Sequence, residues 1–152
     1  MSDMSTRPRS PIDVLSQADF FAALTPEQLQ RICGVSQMQE CEEGCRIYNH
    51  GDLATDFYVL VEGMVRFAIG FGNRNASAGD ILRRGKVFGW AALTPGAKYR
   101  IATATCVTPC TVLAIDGDAL VDLMEQDNAL GFQLMKRLNL LVTGTLTAFA
   151  AA

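Results

Sequence analysis

The chain has 152 residues, of which 49% are hydrophobic and 19% charged, with a formal net charge of -3. This is the composition of one globular domain, and it excludes a disordered chain. The acidic balance argues against direct nucleic-acid binding, which needs a basic surface, and no apolar run reaches the roughly eighteen residues of a membrane span.

Residues 1–9 read as a disordered tail rich in Ser, Arg and Pro. They lack the apolar core of a secretory leader, so the expected compartment is the cytoplasm. Ser10-Pro11 offers a helix cap followed by Pro at the first turn. Thr25-Pro26-Glu27-Gln28 is a capping box, and Leu24, Leu29 and Ile32 supply an apolar stripe behind it. Residues 10–37 are therefore assigned to N-terminal helices.

From Met38 the pattern shortens. Arg46–Tyr48, Phe57–Glu62, Met64–Ile69 and Asp80–Leu82 are brief apolar segments separated by Gly, Asn and Asp. Glu62-Gly63 joins two of them as a tight turn that needs the positive φ of glycine. Residues 70–79 form a polar loop at the tip of another hairpin. Strands resume after Arg100 in IATATCVTPCTVLAI, interrupted by Pro109. Short strands at this spacing specify a barrel or jelly roll over residues 38–115.

After Asp116 the period becomes helical. Leu120, Leu123 and Met124 are followed by Leu134, Met135, Leu138, Leu141 and Val142 at three- and four-residue steps. Asp116 or Asp118 caps the start, and a break is expected between Asn128 and Gly131. The long helix that follows, within residues 116–152, has an apolar face that needs a partner, either its own barrel or a second copy.

Five cysteines, an odd number, suit a reduced compartment better than a disulfide framework. Cys41/Cys45 and Cys106/Cys110 have C-x-x-x-C spacing. That is weaker than the C-x-x-C of zinc sites, and small buried side chains with solvent-facing thiols account for it. No metal or cofactor is expected. With one histidine and no paired acidic site near the glycine-rich segment, an enzyme is not expected either.

Val87–Cys106 reads VFGWAALTPGAKYRIATATC and stands apart from the rest. Its spacing of Phe88-Gly89, Arg100 and Ala102, together with Gly51-Asp52, Phe57–Leu60, Gly63–Val65 and Val112–Asp116, resembles the cyclic nucleotide-binding domain. That family includes the regulatory modules of the catabolite activator protein, of cyclic-nucleotide-dependent kinases and of gated channels. The resemblance covers roughly residues 20 to 138. It implies a mainly β fold with flanking helices: an eight-stranded jelly roll, N-terminal helices and a long C-terminal helix. It also implies a phosphate-binding cassette within residues 87–106, lined by Phe88, Gly89, Trp90, Ala91, Ala92, Arg100, Ile101 and Ala102. Backbone N–H groups near Gly89–Leu93 would face a phosphate, and Arg100 would add a charged, forked donor.

Two departures matter. In ligand-binding members a glutamate that holds the ribose hydroxyl usually follows the glycine, whereas here Trp90 follows it. No acidic residue lies between Gly85 and Ile115. An indole N–H donates but cannot accept. Ile101 lacks the hydroxyl that members preferring cGMP often carry after the arginine, which slightly favours cAMP. The expected function is a cyclic nucleotide sensor signalling through movement of the C-terminal helix. The alternative is a degenerate receptor of the same fold that serves as an interaction or dimerisation module, or that binds another small anion. A homodimer through the C-terminal helix is the expected assembly.

Overall fold

The computed structural model describes residues 10–71, 74–77, 81–96 and 98–151; the tail expected at residues 1–9 lies outside the described residues. Ser10 opens α1 (Pro11–Gln17), its Oγ accepting the Asp13 N–H at 3.4 Å. A 3-10 turn at Asp19–Phe21 follows, and then α2 (Pro26–Cys33). The capping box forms as read. Thr25 Oγ1 accepts the Gln28 N–H at 3.2 Å, and Gln28 Oε1 accepts the Thr25 N–H at 2.9 Å. Such a cap contributes about 1 kcal/mol.

Nine strands follow among the described residues: β1 (Ser36–Cys41), β2 (Arg46–Tyr48), β3 (Asp56–Glu62), β4 (Met64–Phe71), β5 (Arg74–Ser77), β6 (Leu82–Arg83), β7 (Val87–Phe88), β8 (Thr103–Cys106) and β9 (Cys110–Asp116). They form two antiparallel sheets, ordered β1-β9-β3-β7 and β2-β8-β4-β5, with β6 paired to β4. The mainly β architecture with flanking helices is as expected, with nine strands in place of eight.

Two boundaries differ from the sequence reading. β1 begins at Ser36, inside the segment assigned to helices. Its residues SQMQEC are largely polar, so alternation gave no apolar signal there. Arg74–Ser77, read as loop, is a strand paired with Ala68–Phe71 of β4. Three polar residues and one alanine carry no hydrophobic period to reveal them.

Two cores sit on opposite faces of the first sheet. In β3, Phe57, Val59 and Val61 join a cluster under the helices with Leu15, Phe21, Ile115, Leu120 and Leu134. The alternate residues Tyr58 and Leu60 point between the sheets and join Val65, Phe88, Ala104 and Val112. Period-two alternation with both faces buried gives the near-continuous apolar run FYVLV. Each fully buried Leu or Phe contributes about 1.5–3 kcal/mol.

Helix α3 (Gly117–Gln126) is capped by Asp116, whose Oδ1 accepts the Ala119 N–H at 3.0 Å. The break before α4 (Asn128–Ala151) falls at Asp127, one residue ahead of the expected interval. Asp127 has extended backbone (φ -128°, ψ 97°), and its Oδ1 accepts the Leu130 N–H at 3.1 Å. Gly131 is there for a different reason. A Cβ at that position would lie 2.7 Å from the Met124 carbonyl oxygen, so glycine lets α4 pack closely on the end of α3. Among the described residues no helix is long and apolar enough to cross a membrane.

Candidate functional site

Arg100 sits where it does because its neighbours pair with a distant segment. Its N–H donates to the Asp52 carbonyl at 2.8 Å, its carbonyl accepts the Gly51 N–H at 2.9 Å, and Ala54 N–H donates to Lys98 at 2.7 Å. Tyr99 bridges Leu53 in the same antiparallel sense. Lys98 also pairs with Asp118 on α3. These contacts turn the Arg100 side chain inward, where the residue is only 4% exposed.

Inside, its terminal nitrogens meet backbone. Nη1 donates to the Gly89 carbonyl at 2.9 Å and Nη2 to the Asp56 carbonyl at 2.6 Å. The guanidinium lies 4.1 Å from the ring centroid of Tyr48 and 5.8 Å from that of Tyr58. Tyr58 in turn stacks on Phe88, its cross-strand partner, with centroids 5.0 Å apart. A desolvated cation over two phenol rings gains attraction from their negative faces, about 2 kcal/mol for a buried pair. Arg100 Nε has no hydrogen-bond partner, and it is the buried side-chain nitrogen or oxygen among the described residues left in that condition. An orphaned buried N–H costs about 1–3 kcal/mol, more when the group is charged.

The electrostatics follow from burial. Desolvation pulls the Arg100 guanidinium below its ordinary range, while Tyr48, Tyr58, Asp56 and Asp52 oppose that shift. Burial likewise pushes the Tyr48 and Tyr58 phenols up, keeping both neutral; Arg100 works against it in each case. The Asp56 carboxyl is raised by burial first and by Asp116 second, with Arg100 lowering it. An open groove of about 400 Å³ flanks the site, lined in part by Ser36, Gln37, Asp56 and Asp116. Two carboxylates make that groove a poor seat for an anion.

Gly89 holds the turn together. It sits in the left-handed region at φ 82° and ends β7, leading into a 3-10 turn at Trp90–Leu93. A Cβ there would come 3.0 Å from Arg100 Nη1, 3.1 Å from Tyr58 Cδ2 and 3.3 Å from the Asp56 carbonyl oxygen. The glycine is thus required both by conformation and by the close approach of the arginine.

The segment singled out in the sequence divides between the two cores. Phe88, Gly89 and Arg100 meet on the inter-sheet side. Ala91 and Ala92 are buried in the cluster under the helices, and Trp90, half-buried, packs against that same cluster. Ala102 is buried, whereas Ile101 is 39% exposed. The side chains expected to line one pocket therefore face two ways, and Arg100 meets the turn through the carbonyl of Gly89 at its start. The turn also touches α3 and α4. A Cβ on Gly117 at the start of α3 would meet the Ala92 carbonyl oxygen at 2.6 Å. Tyr48, Tyr58 and the Asp56 carbonyl were not singled out from the sequence. Gly51-Asp52 and the aromatic run at 57–58 were noted only as spacing, and nothing local says that they enclose an arginine some forty residues later.

The model of the cyclic nucleotide-binding domain family matches residues 38–127, more than half of the chain. The chain belongs to the cyclic nucleotide-binding domain family. A protein of Geobacter metallireducens GS-15 described as a cyclic nucleotide-binding protein is similar, with 27% identity over 91% of this chain and 99% of that one (TM-score 0.76). The sensor domain of the transcriptional regulator DNR of Pseudomonas aeruginosa shares the fold at 21% identity, over 84% of this chain and 90% of that one (TM-score 0.70). So does the regulatory domain of Toxoplasma gondii PKA in complex with cAMP, at 18% identity over 88% of this chain and 48% of that one (TM-score 0.72). No curated protein matches this chain.

Proposed function

We propose that this domain is a ligand sensor that captures the phosphate of a cyclic nucleotide, cAMP in slight preference to cGMP, at Arg100 and the Gly89–Ala92 turn. The observation that carries the reading is the buried Arg100 whose Nε lacks a partner. A guanidinium offers five donors, and its own barrel uses the two terminal nitrogens on the Gly89 and Asp56 carbonyls. A phosphate oxygen would take the Nε donor that has no partner, and its negative charge would offset the desolvation of the guanidinium. The left-handed Gly89 lets backbone come close to such a group. Since the Trp90–Leu93 turn touches α3 and α4, a shift of the turn on binding would move those helices. A ligand shifts them only through its different affinity for the two arrangements.

The exposed side of α4 carries Phe132, Met135 and Leu140. The stripe of Leu134 and Leu138 packs on the chain's own core, so pairing with a second copy, through which helix movement would be transmitted, would use these three exposed side chains beside Lys136, which lies over the Phe132 ring.

A second reading, a degenerate receptor that acts as an interaction module, is favoured by two observations. Trp90 stands where ligand-binding relatives place a carboxylate, and the two terminal nitrogens of Arg100 are already engaged. Trp90 is the single tryptophan, so its fluorescence separates the readings. The sensor requires a saturable change on titration with cAMP or cGMP that disappears in Arg100→Ala. Flat traces up to millimolar nucleotide would leave the interaction module.

A further inference from the structure

Two cysteine pairs, far apart in the chain, are neighbours in the fold. Cys41 of β1 stands directly opposite Cys110 of β9 in the ladder. Cys106 ends β8 and Cys110 begins β9, across the short connection that carries Pro109. Cys106 N–H donates to the Cys45 carbonyl, and Gly44 N–H donates to the Cys106 carbonyl, both at 2.8 Å. Four thiols therefore ring the place where two connections cross from one sheet to the other. The side chains of Cys41 and Cys106, of Cys41 and Cys45, and of Cys106 and Cys110 interact.

The four are not equivalent. Cys106 and Cys110 are buried, Cys41 is half-buried and Cys45 is exposed. Cys110 Sγ lies 3.3 Å from the Met64 carbonyl and 3.2 Å from that of Thr108, as a thiol donor. Burial holds Cys106 and Cys41 above the ordinary thiol range. Among the described residues no group of three or more His, Cys, Asp or Glu is arranged as a metal's ligand set. What remains is a graded path from an exposed thiol inward.

We propose that Cys45 and Cys41 form a reversible dithiol–disulfide site, with Cys45 as the entry thiol and Cys41 as the resolving one. The chain between them already turns back. Cys45 N–H donates to the Glu42 carbonyl at 3.1 Å, and Gly44 adopts φ 81°. That turn brings Glu42 and Cys45 within about 7 Å, and Cys41 directly precedes it at the end of β1, so the two thiols flank one tight turn, near the scale on which a disulfide closes. The oxidant is a low-molecular-weight disulfide. Cys45 thiolate attacks one of its sulfurs, forming a mixed disulfide and expelling one thiolate. Cys41, deprotonated to solvent, then attacks Cys45 Sγ, forming the Cys41–Cys45 bond and expelling the second thiolate. The two cysteines lose two electrons and two protons, and the oxidant is reduced to two thiols.

The test incubates the reduced full chain with oxidised glutathione, quenches in acid, alkylates after unfolding and maps the peptides by mass. A Cys41–Cys45 link is expected, with the loss of two hydrogens, while Cys33, Cys106 and Cys110 stay alkylated. Cys45→Ser should leave Cys41 fully alkylated, and Cys33→Ser should oxidise like the unaltered chain. The proposal is overturned by no link at all, by a dominant link through Cys106 or Cys110, or by stoichiometric zinc held on the reduced thiols. The mapping on the unaltered chain decides the matter even where a variant fails to fold.

Discussion

Arg100 Nη1 donates to the carbonyl of Gly89 at 2.9 Å, so the residue that brings positive charge also fastens the turn that would meet the ligand. Those two positions are linked a second time through sterics, since a Cβ on Gly89 would press on the same Nη1. Structure and recognition are therefore coupled at one contact. A change to either partner alters the other.

Gly89→Ala should destabilise the fold by more than Gly85→Ala. Both glycines have positive φ, 82° and 87°, which costs an L residue about 1–2 kcal/mol. Only at Gly89 does the added methyl meet Arg100, Tyr58 and Asp56; at Gly85 it meets nothing within 4 Å. Urea unfolding of the two variants measures the difference, which isolates the packing contribution.

Gly63→Ala should be among the most damaging single changes, about 3 kcal/mol or more. Its φ is 98°, and a Cβ would fall 2.5 Å from the Pro109 carbonyl oxygen and 2.7 Å from Cys110 Sγ. Loss of the cooperative thermal transition, or a midpoint lowered well beyond that of Gly85→Ala, is the expected result.

Asp127 should make stability depend on acid pH. Its carboxylate is held below its ordinary range by the Leu130 N–H first and by Gln28 second, with desolvation opposing and Ala129 and Arg31 adding lesser contributions. Because the folded value is depressed, the stabilisation is complete above the unfolded value and is lost as pH falls through the folded one. Asp127→Ala should lower the melting temperature at neutral pH. The gap to the unaltered chain should narrow as the pH drops below the ordinary aspartate range. Thermal melts across that range check the sign.

Asp56 should show the opposite dependence. Burial, and then the neighbouring Asp116, raise its carboxyl in the folded state. A raised value means that the folded chain binds the proton more firmly, so stability is lost as pH rises through the folded value. Asp56→Asn should therefore be at least as stable as the unaltered chain at neutral pH. That advantage should disappear in acid, where both side chains are uncharged.

The helix ends were legible because the signals are local. Thr25 with Gln28 and Asp116 with Ala119 are three residues apart, and each cap forms as the sequence implies. The Glu62-Gly63 turn and the apolar run of β3 were legible for the same reason. Polar strands were not. β1 and β5 owe their existence to ladder hydrogen bonds with partners elsewhere, not to an apolar stripe of their own. The candidate site was legible in half. Gly89 and Arg100 could be singled out, but the stacking of Arg100 on Tyr48 depends on how Lys98–Arg100 pairs with Gly51–Ala54. The meeting of Cys41 with Cys110 is of the same kind, fixed by strand register across most of the barrel.

The proposed anion capture at Arg100 is tested most directly by isothermal titration of cAMP into the unaltered chain, Arg100→Lys and Arg100→Ala. Circular dichroism on each first establishes that the barrel is intact. Saturable heat is predicted for the unaltered chain, with affinity reduced at least roughly tenfold in Arg100→Lys, which keeps the charge but loses the fork, and no detectable binding in Arg100→Ala. Binding of equal strength in a folded Arg100→Ala, or no heat from the unaltered chain at millimolar cAMP, would contradict it.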